Sequence, residues 1–154
     1  MTLIVVTEDR VLVDSYESNG TLEFEIGSKK VRTHRVIPGK FVVAGTVSDW
    51  SIAVSRSKTK EELLSSSFPC DSADHTSIVW VVDGEVYVLE CSRGARWYEL
   101  SRTSPINYQA GAGWRWFEAY FARGGDVDAA FEVTCSLHPQ CSLPVNIIEI
   151  EDRT

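Results

Sequence analysis

The sequence lacks several features that define well-known classes of protein. Its 154 residues include no apolar run near the roughly 20 residues that a membrane-spanning helix needs. No basic residues precede the short apolar run at the N-terminus, so we expect no secretory signal. Positive charge is not in excess, since 15 Lys and Arg against 22 Asp and Glu give a net charge of -7. Such a surface repels phosphate groups, and we expect neither nucleic acid nor a membrane as a partner.

The spacing of the cysteines is not that of a metal site. The four cysteines are Cys70, Cys91, Cys135 and Cys141. They favour reduced, partly buried thiols in a cytoplasmic protein, with disulfides or metal ligation as alternatives. Zinc needs three or four convergent ligands, and the set Cys135, His138 and Cys141 contains no paired Cys-x-x-Cys. The sequence therefore predicts neither a metal nor a cofactor.

The first third of the chain is rich in strand patterns. Residues 3–7 and 11–15 are β-branched runs around a short polar turn, which predicts a hairpin. Residues 16–27 are mixed and contain an Asn-Gly turn signal. Residues 30–36 alternate in polarity like a strand, and residues 41–44 form an apolar strand after Pro-Gly.

The middle of the chain is less regular until one strong hairpin. Residues 49–60 are compatible with a short helix capped by Ser48 or Asp49, and residues 61–75 with a helical turn followed by a loop. Residues 78–90 are two apolar runs around Asp-Gly, the pair that suits a tight type I′ turn.

The last third changes to helical periodicity. Aromatic residues after Gly113 share one helical face, and Gly124-Gly125 ends that helix. Asp126 caps a second helix with its own apolar stripe, which ends at His138-Pro139. Residues 145–150 form a last strand. Strands segregated from helices predict an α+β layered fold, and without a repeat or a long linker we expect a single domain over residues 1–154.

The residue with the clearest chemical potential is Thr2. Because a small residue follows Met1, we expect methionine aminopeptidase to remove Met1 and leave Thr2 at the terminus. The α-amine of a terminal threonine has a pKa of about 8 and can take the proton of its own hydroxyl, directly or through one water. Many proteins begin with Met-Thr, so this feature alone does not indicate catalysis.

Three further residues could complete such a site. Asp14 closes the second strand, Lys30 begins the next, and Gly45 ends the strand at residues 41–44. A lysine charge would favour the alkoxide and lower the pKa of the amine, while a carboxylate would hold the lysine. A glycine lets the backbone offer an N–H to an oxyanion.

The order of these segments resembles a known family, the N-terminal-nucleophile (Ntn) hydrolases of the proteasome β-subunit and HslV type. Within that family the sequence is most similar to short proteasome-like proteins found in bacteriophage genomes. The segments that carry the resemblance span nearly the whole chain: Thr2-Leu3-Ile4-Val5-Val6, Val11-Leu12-Val13-Asp14-Ser15, Lys30-Val31-Arg32, residues 39–45 with Asp49 after them, Gln109-Ala110-Gly111-Ala112-Gly113, and parts of residues 124–148.

The resemblance implies a four-layer αββα sandwich and hydrolysis of peptide or amide bonds. It makes Thr2 the nucleophile and its amine the base, with Asp14 and Lys30 as the supporting pair and the Gly45 amide as an oxyanion donor. Lys29 replaces Lys30 if the register differs by one. The resemblance also implies a peptide or protein substrate, a homo-oligomer, and an ATPase or a host protein as partner, in the cytoplasm of a bacterium or a phage-infected host cell.

The chain departs from the family pattern at two places. Ala112 stands where the family has a serine that helps proton transfer, and such help is worth about 10²–10⁴-fold. Residues 50–74 are too few for the two long helices that the family places there, which predicts a reduced helical layer. These departures support an alternative, a catalytically inactive Ntn-fold protein that serves as a binding or assembly module.

The residues of the first long helix can be divided between the core and a possible subunit interface. Phe117, Tyr120 and Phe121 are expected in the core. Arg115 and Trp116 are candidates for a subunit interface instead.

Overall fold

The computed structural model describes residues 2–18, 23–25, 31–44, 54, 57–66, 77–90 and 96–151. The chain divides into two compact units. The first unit contains Met1–Lys30 and Arg102–Glu149, and the second contains Val31–Ser101 and Ile150–Thr154. That the two units make one domain stays a prediction.

The described elements are short strands and three helices. The strands are β1 Ile4–Val6, β2 Arg10–Val13, β3 Tyr16–Ser18, β4 Glu23–Glu25, β5 Val31–Arg32, β6 Lys40–Ala44, β7 Ser77–Val82, β8 Glu85–Glu90, β9 Trp97–Glu99, β10 Tyr108–Ala110 and β11 Asn146–Glu149. The helices are α1 Lys60–Ser65, α2 Trp114–Gly124 and α3 Val127–Leu137.

The first unit contains an antiparallel four-stranded sheet in the order β10-β1-β2-β11. The predicted hairpin at its centre is confirmed, with Ile4 opposite Val13. The Thr7 hydroxyl fixes the turn, because it accepts from the backbone amides of Asp9 and Arg10. A short side chain at the end of β1 thus sets the register that puts the start of β1 beside the end of β2. Strands β3 and β4 form a separate antiparallel pair.

The core of the first unit lies between this sheet and the two long helices. Leu3 and Val5, which share one face of the first strand region, are fully buried, as are Phe117 and Phe131 on the helices. These four join one apolar cluster with Leu12, Ala112, Ala130, Cys135 and Cys141. Alternation along a strand and helical spacing along α2 and α3 bring these side chains to a common interior.

The two cysteines of this cluster are core residues. Cys135 and Cys141 are both buried. Among the residues that the structure describes, no group of three His, Cys, Asp or Glu side chains is arranged to hold a metal ion. Cys70 and Cys91 lie outside the described residues.

The helix boundaries follow the predicted caps. Gly125 adopts a left-handed conformation with φ of 71° and ends α2, where its amide N–H donates a hydrogen bond to the Phe121 carbonyl. The Asp126 carboxylate then accepts from the Asp128 amide and begins α3. Arg10 connects this helix to the sheet through two contacts with the Asp128 carboxylate, at 3.0 and 3.4 Å. That hydrogen bond raises the pKa of Arg10 above its ordinary value.

Removing the α3 cap will weaken the first unit. We expect Asp126→Ala to lower the free energy of unfolding by about 1 kcal/mol, because an orphan helix amide loses its acceptor. Urea denaturation measures the change. Glu132→Ala, an exposed position in the middle of the same helix, is the control and should alter stability by less than about 0.5 kcal/mol. Equal effects of the two changes would contradict the capping role.

The second unit contains an antiparallel five-stranded sheet in the order β5-β6-β7-β8-β9. The hairpin predicted at residues 78–90 is confirmed, and both turn residues have positive φ, 51° at Asp83 and 74° at Gly84. The core of this unit centres on Trp80, whose ring stacks on Phe41 and meets the edge of Trp97. The Trp80 indole N–H donates to the Pro38 carbonyl at 2.9 Å.

Some elements differ from the sequence prediction. The strand expected at residues 30–36 is only β5, Val31–Arg32, within the described residues. The His34 imidazole accepts from the amides of Val36 and Ile37, and this turn replaces the extended chain. Strands β9 and β10 carried no strong sequence pattern and were not predicted.

The prediction for the middle of the chain is tested only at its end. Helix α1 begins after Thr59, whose hydroxyl accepts from the Glu62 amide. It has six residues, in the part of the chain where the sequence favoured a helical turn. Most of the helix expected at residues 49–60 lies outside the described residues. None of the described helices is long and apolar enough to cross a membrane.

Candidate active site

The candidate nucleophile lies at the buried start of the central sheet of the first unit. Thr2 is 7% exposed and Leu3, which follows it, is fully buried. Strand β1 pairs with β10 so that Ile4 is opposite Ala110, which brings Gly111 to the level of the first residues of the chain. An ideal Cβ on Gly111 would stand 1.4 Å from the Thr2 carbonyl oxygen. Only glycine allows the two backbones to approach this closely, and its φ of +90° also favours glycine.

The Asp14 carboxylate holds this N-terminal segment in place. Asp14 follows β2 directly and is fully buried. Its Oδ1 accepts from the Leu3 amide at 2.9 Å, and its Oδ2 accepts from the Ser142 amide at 3.3 Å. The Asp14 amide in turn donates to the Leu3 carbonyl at 3.3 Å. One carboxylate therefore fixes the residue next to Thr2 and the loop after α3.

Ser15 strengthens the same junction. Its amide donates to the Ser142 carbonyl at 2.9 Å, and its hydroxyl donates to the Pro144 carbonyl. The hydroxyl also accepts from the Asn146 side-chain amide at 2.9 Å. Ser15 is fully buried, so both its backbone and its side chain serve to close the loop onto the hairpin.

The segment before α2 forms another wall of the cluster, and Ala112 makes this wall apolar. Ala112 is buried, and its carbonyl accepts from the Cys141 thiol at 3.3 Å. Gly113 starts α2 with φ of +77°. A Cβ there would meet His138 Cγ and Cys141 Sγ, each at 3.2 Å. The Gly-Ala-Gly run therefore packs tightly against the end of α3 and the loop that follows.

Two buried polar atoms near these elements have no hydrogen-bond partner among the described residues. They are Ser142 Oγ, in the loop that Asp14 holds, and Gln109 Oε1 on β10. Gln109 is opposite Val5, farther along β1 from Thr2. Such atoms are rare in folded proteins because an unpaired buried polar atom costs free energy.

The structure brings together two of the four residues that the sequence suggested. Thr2 and Asp14 belong to one cluster through the amide of Leu3. Lys30, its substitute Lys29, and Gly45 lie outside the described residues, and their roles stay predictions. Sequence reasoning did not suggest Ser142 or Asn146 as site residues, because both lie far along the chain from the hairpin; Asn146 was noted only as part of the last segment that carries the resemblance.

The two candidate interface residues lie on the outer part of α2. Trp116 is 42% exposed, and its ring meets the edge of the His138 imidazole at 4.7 Å between centroids. The Arg115 guanidinium lies 5.2 Å from the centre of the Trp114 ring. Phe117 is buried as predicted, and Tyr120 and Phe121 pack against the core.

Comparison with known proteins identifies the fold. No family model and no curated protein matches the sequence. Among solved structures, eukaryotic HslV from Trypanosoma brucei aligns with a TM-score of 0.62 and 14% identity, over 98% of this chain and 99% of that one. An Anbu (Gly-1) mutant from Hyphomicrobium sp. strain MC1 aligns with a TM-score of 0.60 and 13% identity, over 98% of this chain and 82% of that one. BPH from Thiobacillus denitrificans in complex with epoxomicin aligns with a TM-score of 0.53 and 12% identity, over 98% of this chain and 99% of that one.

The chain therefore has the fold of the HslV/proteasome-like Ntn hydrolases. It is a mixed α+β fold with two larger antiparallel sheets, one separate antiparallel strand pair and few helices among the described residues, as the sequence resemblance implied. The proteins compared are 12–14% identical to this chain, so the likeness concerns the fold. The closer similarity to phage proteins stays a prediction.

Proposed function

We propose that the protein is a threonine-type hydrolase of peptide or amide bonds, with Thr2 as its nucleophile after removal of Met1. The observation that supports this most is the cluster at the start of β1. There Thr2 lies buried beside Gly111, and the Asp14 carboxylate fixes the next amide in the chain. Holding a nucleophile in one geometry is a large part of catalysis, because misplacement by about 1 Å can cost about 10²-fold.

The proposed reaction has two steps. The Thr2 α-amine takes the hydroxyl proton as Oγ1 attacks the substrate carbonyl carbon, and the amine then gives that proton to the departing amine of the substrate. An ester of Thr2 remains. Water adds to this ester, loses a proton to the same amine, and releases the acid and the free hydroxyl. Lys30 lowers the pKa of the amine, and the Gly45 amide binds the oxyanion.

The protein works as a homo-oligomer on peptide or protein substrates in this proposal, with an ATPase or a host protein as partner. The fold likeness to HslV supports the oligomer. The half-exposed Trp116 is the side chain we would place at a contact between copies. A cytoplasmic location, in a bacterium or a phage-infected cell, belongs to the same proposal.

The second candidate function is that of an inactive binding or assembly module. Ala112 favours it, because this buried position has no hydroxyl to assist proton transfer. A processed chain whose Thr2 never reacts would establish this alternative over the hydrolase.

Intact mass spectrometry tests the proposal. Protein made in cells with normal methionine processing is measured before and after treatment with a threonine-directed electrophile such as epoxomicin, the compound present in the BPH complex. We expect loss of Met1 and the gain of one adduct at Thr2. The Thr2→Ala variant is the matched control: alanine is also small, so Met1 is still removed, but no adduct forms. Equal labelling of the two proteins would overturn the proposal.

A further inference from the structure

Two serines neighbour Asp14, Ser15 along the chain and Ser142 through its amide, and they use their hydroxyls in different ways. The Ser15 hydroxyl is fully engaged, since it donates to the Pro144 carbonyl and accepts from the Asn146 side chain. The Ser142 hydroxyl is buried and has no hydrogen-bond partner among the described residues. The backbone of Ser142 is nevertheless fixed at both ends. Its amide donates to Asp14, and its carbonyl accepts from the Ser15 amide.

A buried hydroxyl without a partner weakens a fold, and alanine at the same place would avoid the cost. Ser142 therefore has no structural task that its hydroxyl performs within the described part of the chain. A buried polar group without a partner is a candidate for a role in the function of a protein.

Removal of Met1 creates such a partner close by. It converts the Thr2 amide nitrogen into an amine with additional N–H groups. The nitrogen is one residue from the Leu3 amide, and the Leu3 amide shares the Asp14 carboxylate with the Ser142 amide, at 2.9 and 3.3 Å. The N–H groups of the Thr2 amine and the unpaired hydroxyl oxygen of Ser142 therefore belong to the same buried cluster. Ala112, on another wall of that cluster, offers no hydroxyl.

We propose that Ser142 is a positioning residue for the α-amine of processed Thr2. Its Oγ accepts one N–H of the amine and turns the amine lone pair toward the Thr2 hydroxyl. The hydroxyl of Ser142 acts through the amine and does not touch the substrate. This inference rests on the proposed function, in which the amine of Thr2 is the general base.

The rate of covalent labelling of processed protein by epoxomicin, measured by intact mass between pH 5 and 9, tests the role. We expect Ser142→Ala to lower the plateau rate about tenfold, the usual scale for one hydrogen bond. The pH of half-maximal rate should also fall, because the ammonium form loses an acceptor that stabilised it. Ser142→Thr, which keeps a hydroxyl, should restore both properties.

Two control variants separate this role from a structural one. Ser15→Ala removes an engaged hydroxyl, and the melting temperature should fall by about 4 °C or more. Ser142→Ala should change it by less than about 2 °C. Gln109→Met removes a different unpartnered buried oxygen, on β10 opposite Val5, and should leave the rate and the pH profile unchanged.

The outcomes distinguish the inference from the function on which it rests. If processed wild-type protein is not labelled, both are wrong. If wild-type protein is labelled and Ser142→Ala reacts at the same rate with the same pH profile, the inference is wrong and the proposed function stands. A melting temperature for Ser142→Ala as low as that of Ser15→Ala would also overturn the inference, since the hydroxyl would then be structural.

Discussion

Gly111→Ala will destabilise the first unit by about 3 kcal/mol and abolish labelling of Thr2. The new Cβ would stand 1.4 Å from the Thr2 carbonyl oxygen, so the start of β1 or the end of β10 must move. Overpacking of this kind costs about 1–3 kcal/mol. A non-glycine residue with φ near +90° adds a further cost of about 1–3 kcal/mol. Because the displaced atoms belong to Thr2 itself, we expect the labelling rate to fall further than the loss of folding free energy alone would explain.

The measurement is a urea denaturation curve together with the labelling rate. Gly124→Ala is the matched control, because the same atom is added at the end of α2 where nothing lies within 4 Å of it. Its stability should stay unchanged or rise by up to about 1 kcal/mol, since alanine favours a helix more than glycine does. If Gly111→Ala were as stable and as reactive as Gly124→Ala, the close approach of Gly111 to Thr2 would be refuted.

Asp14→Ala will have a comparably large effect for an electrostatic reason. The change leaves the buried amide of Leu3 and the partly buried amide of Ser142 without their acceptor, and each unmade hydrogen bond costs about 1–3 kcal/mol. We expect a loss of about 2–5 kcal/mol in the free energy of unfolding. Asp14→Asn keeps one acceptor oxygen but turns an NH₂ group toward one of the two amides. We expect it to lower the free energy of unfolding by about half as much as Asp14→Ala.

The labelling rate of Thr2 should fall in both Asp14 variants even at temperatures where they remain folded. Far-UV circular dichroism establishes the folded state, and intact mass gives the rate. Asp9→Asn removes the same charge from an exposed position on the same hairpin and serves as the control. A folded Asp14→Asn protein that is labelled as fast as Asp9→Asn would show that the carboxylate does not position the nucleophile.

Local patterns were sufficient for the parts of this fold that local chemistry decides. The turn at Asp83 and Gly84 needs two residues with positive φ, and their identity predicted it. The cap of α3 followed from the one carboxylate at Asp126. The alternation at residues 30–36 predicted a strand, but His34 accepts two backbone amides and turns the chain. A side chain that bonds to its own backbone can outweigh periodicity.

The candidate site could be predicted only in part. Thr2 was suggested by its place after Met1, and Asp14 by its place at the end of a strand together with the family resemblance. The contact from Ser142 to Asp14 spans 128 residues and depends on how β11 pairs with β2. No local spacing contains that information. That the Ser142 hydroxyl has no partner among the described residues depends on how the chain packs. The sequence alone does not distinguish Ser142 from the other serines.

The amide that Asp14 holds belongs to Leu3, which lies downstream of the bond between Met1 and Thr2. Under the proposed processing, release of Met1 leaves this contact intact. The scaffold of the site can therefore assemble on a chain that is still chemically latent. Folding and activation become separate events, and the timing of the second depends on an aminopeptidase and on the size of residue 2. A precursor of this kind is protected from reacting with itself while it folds.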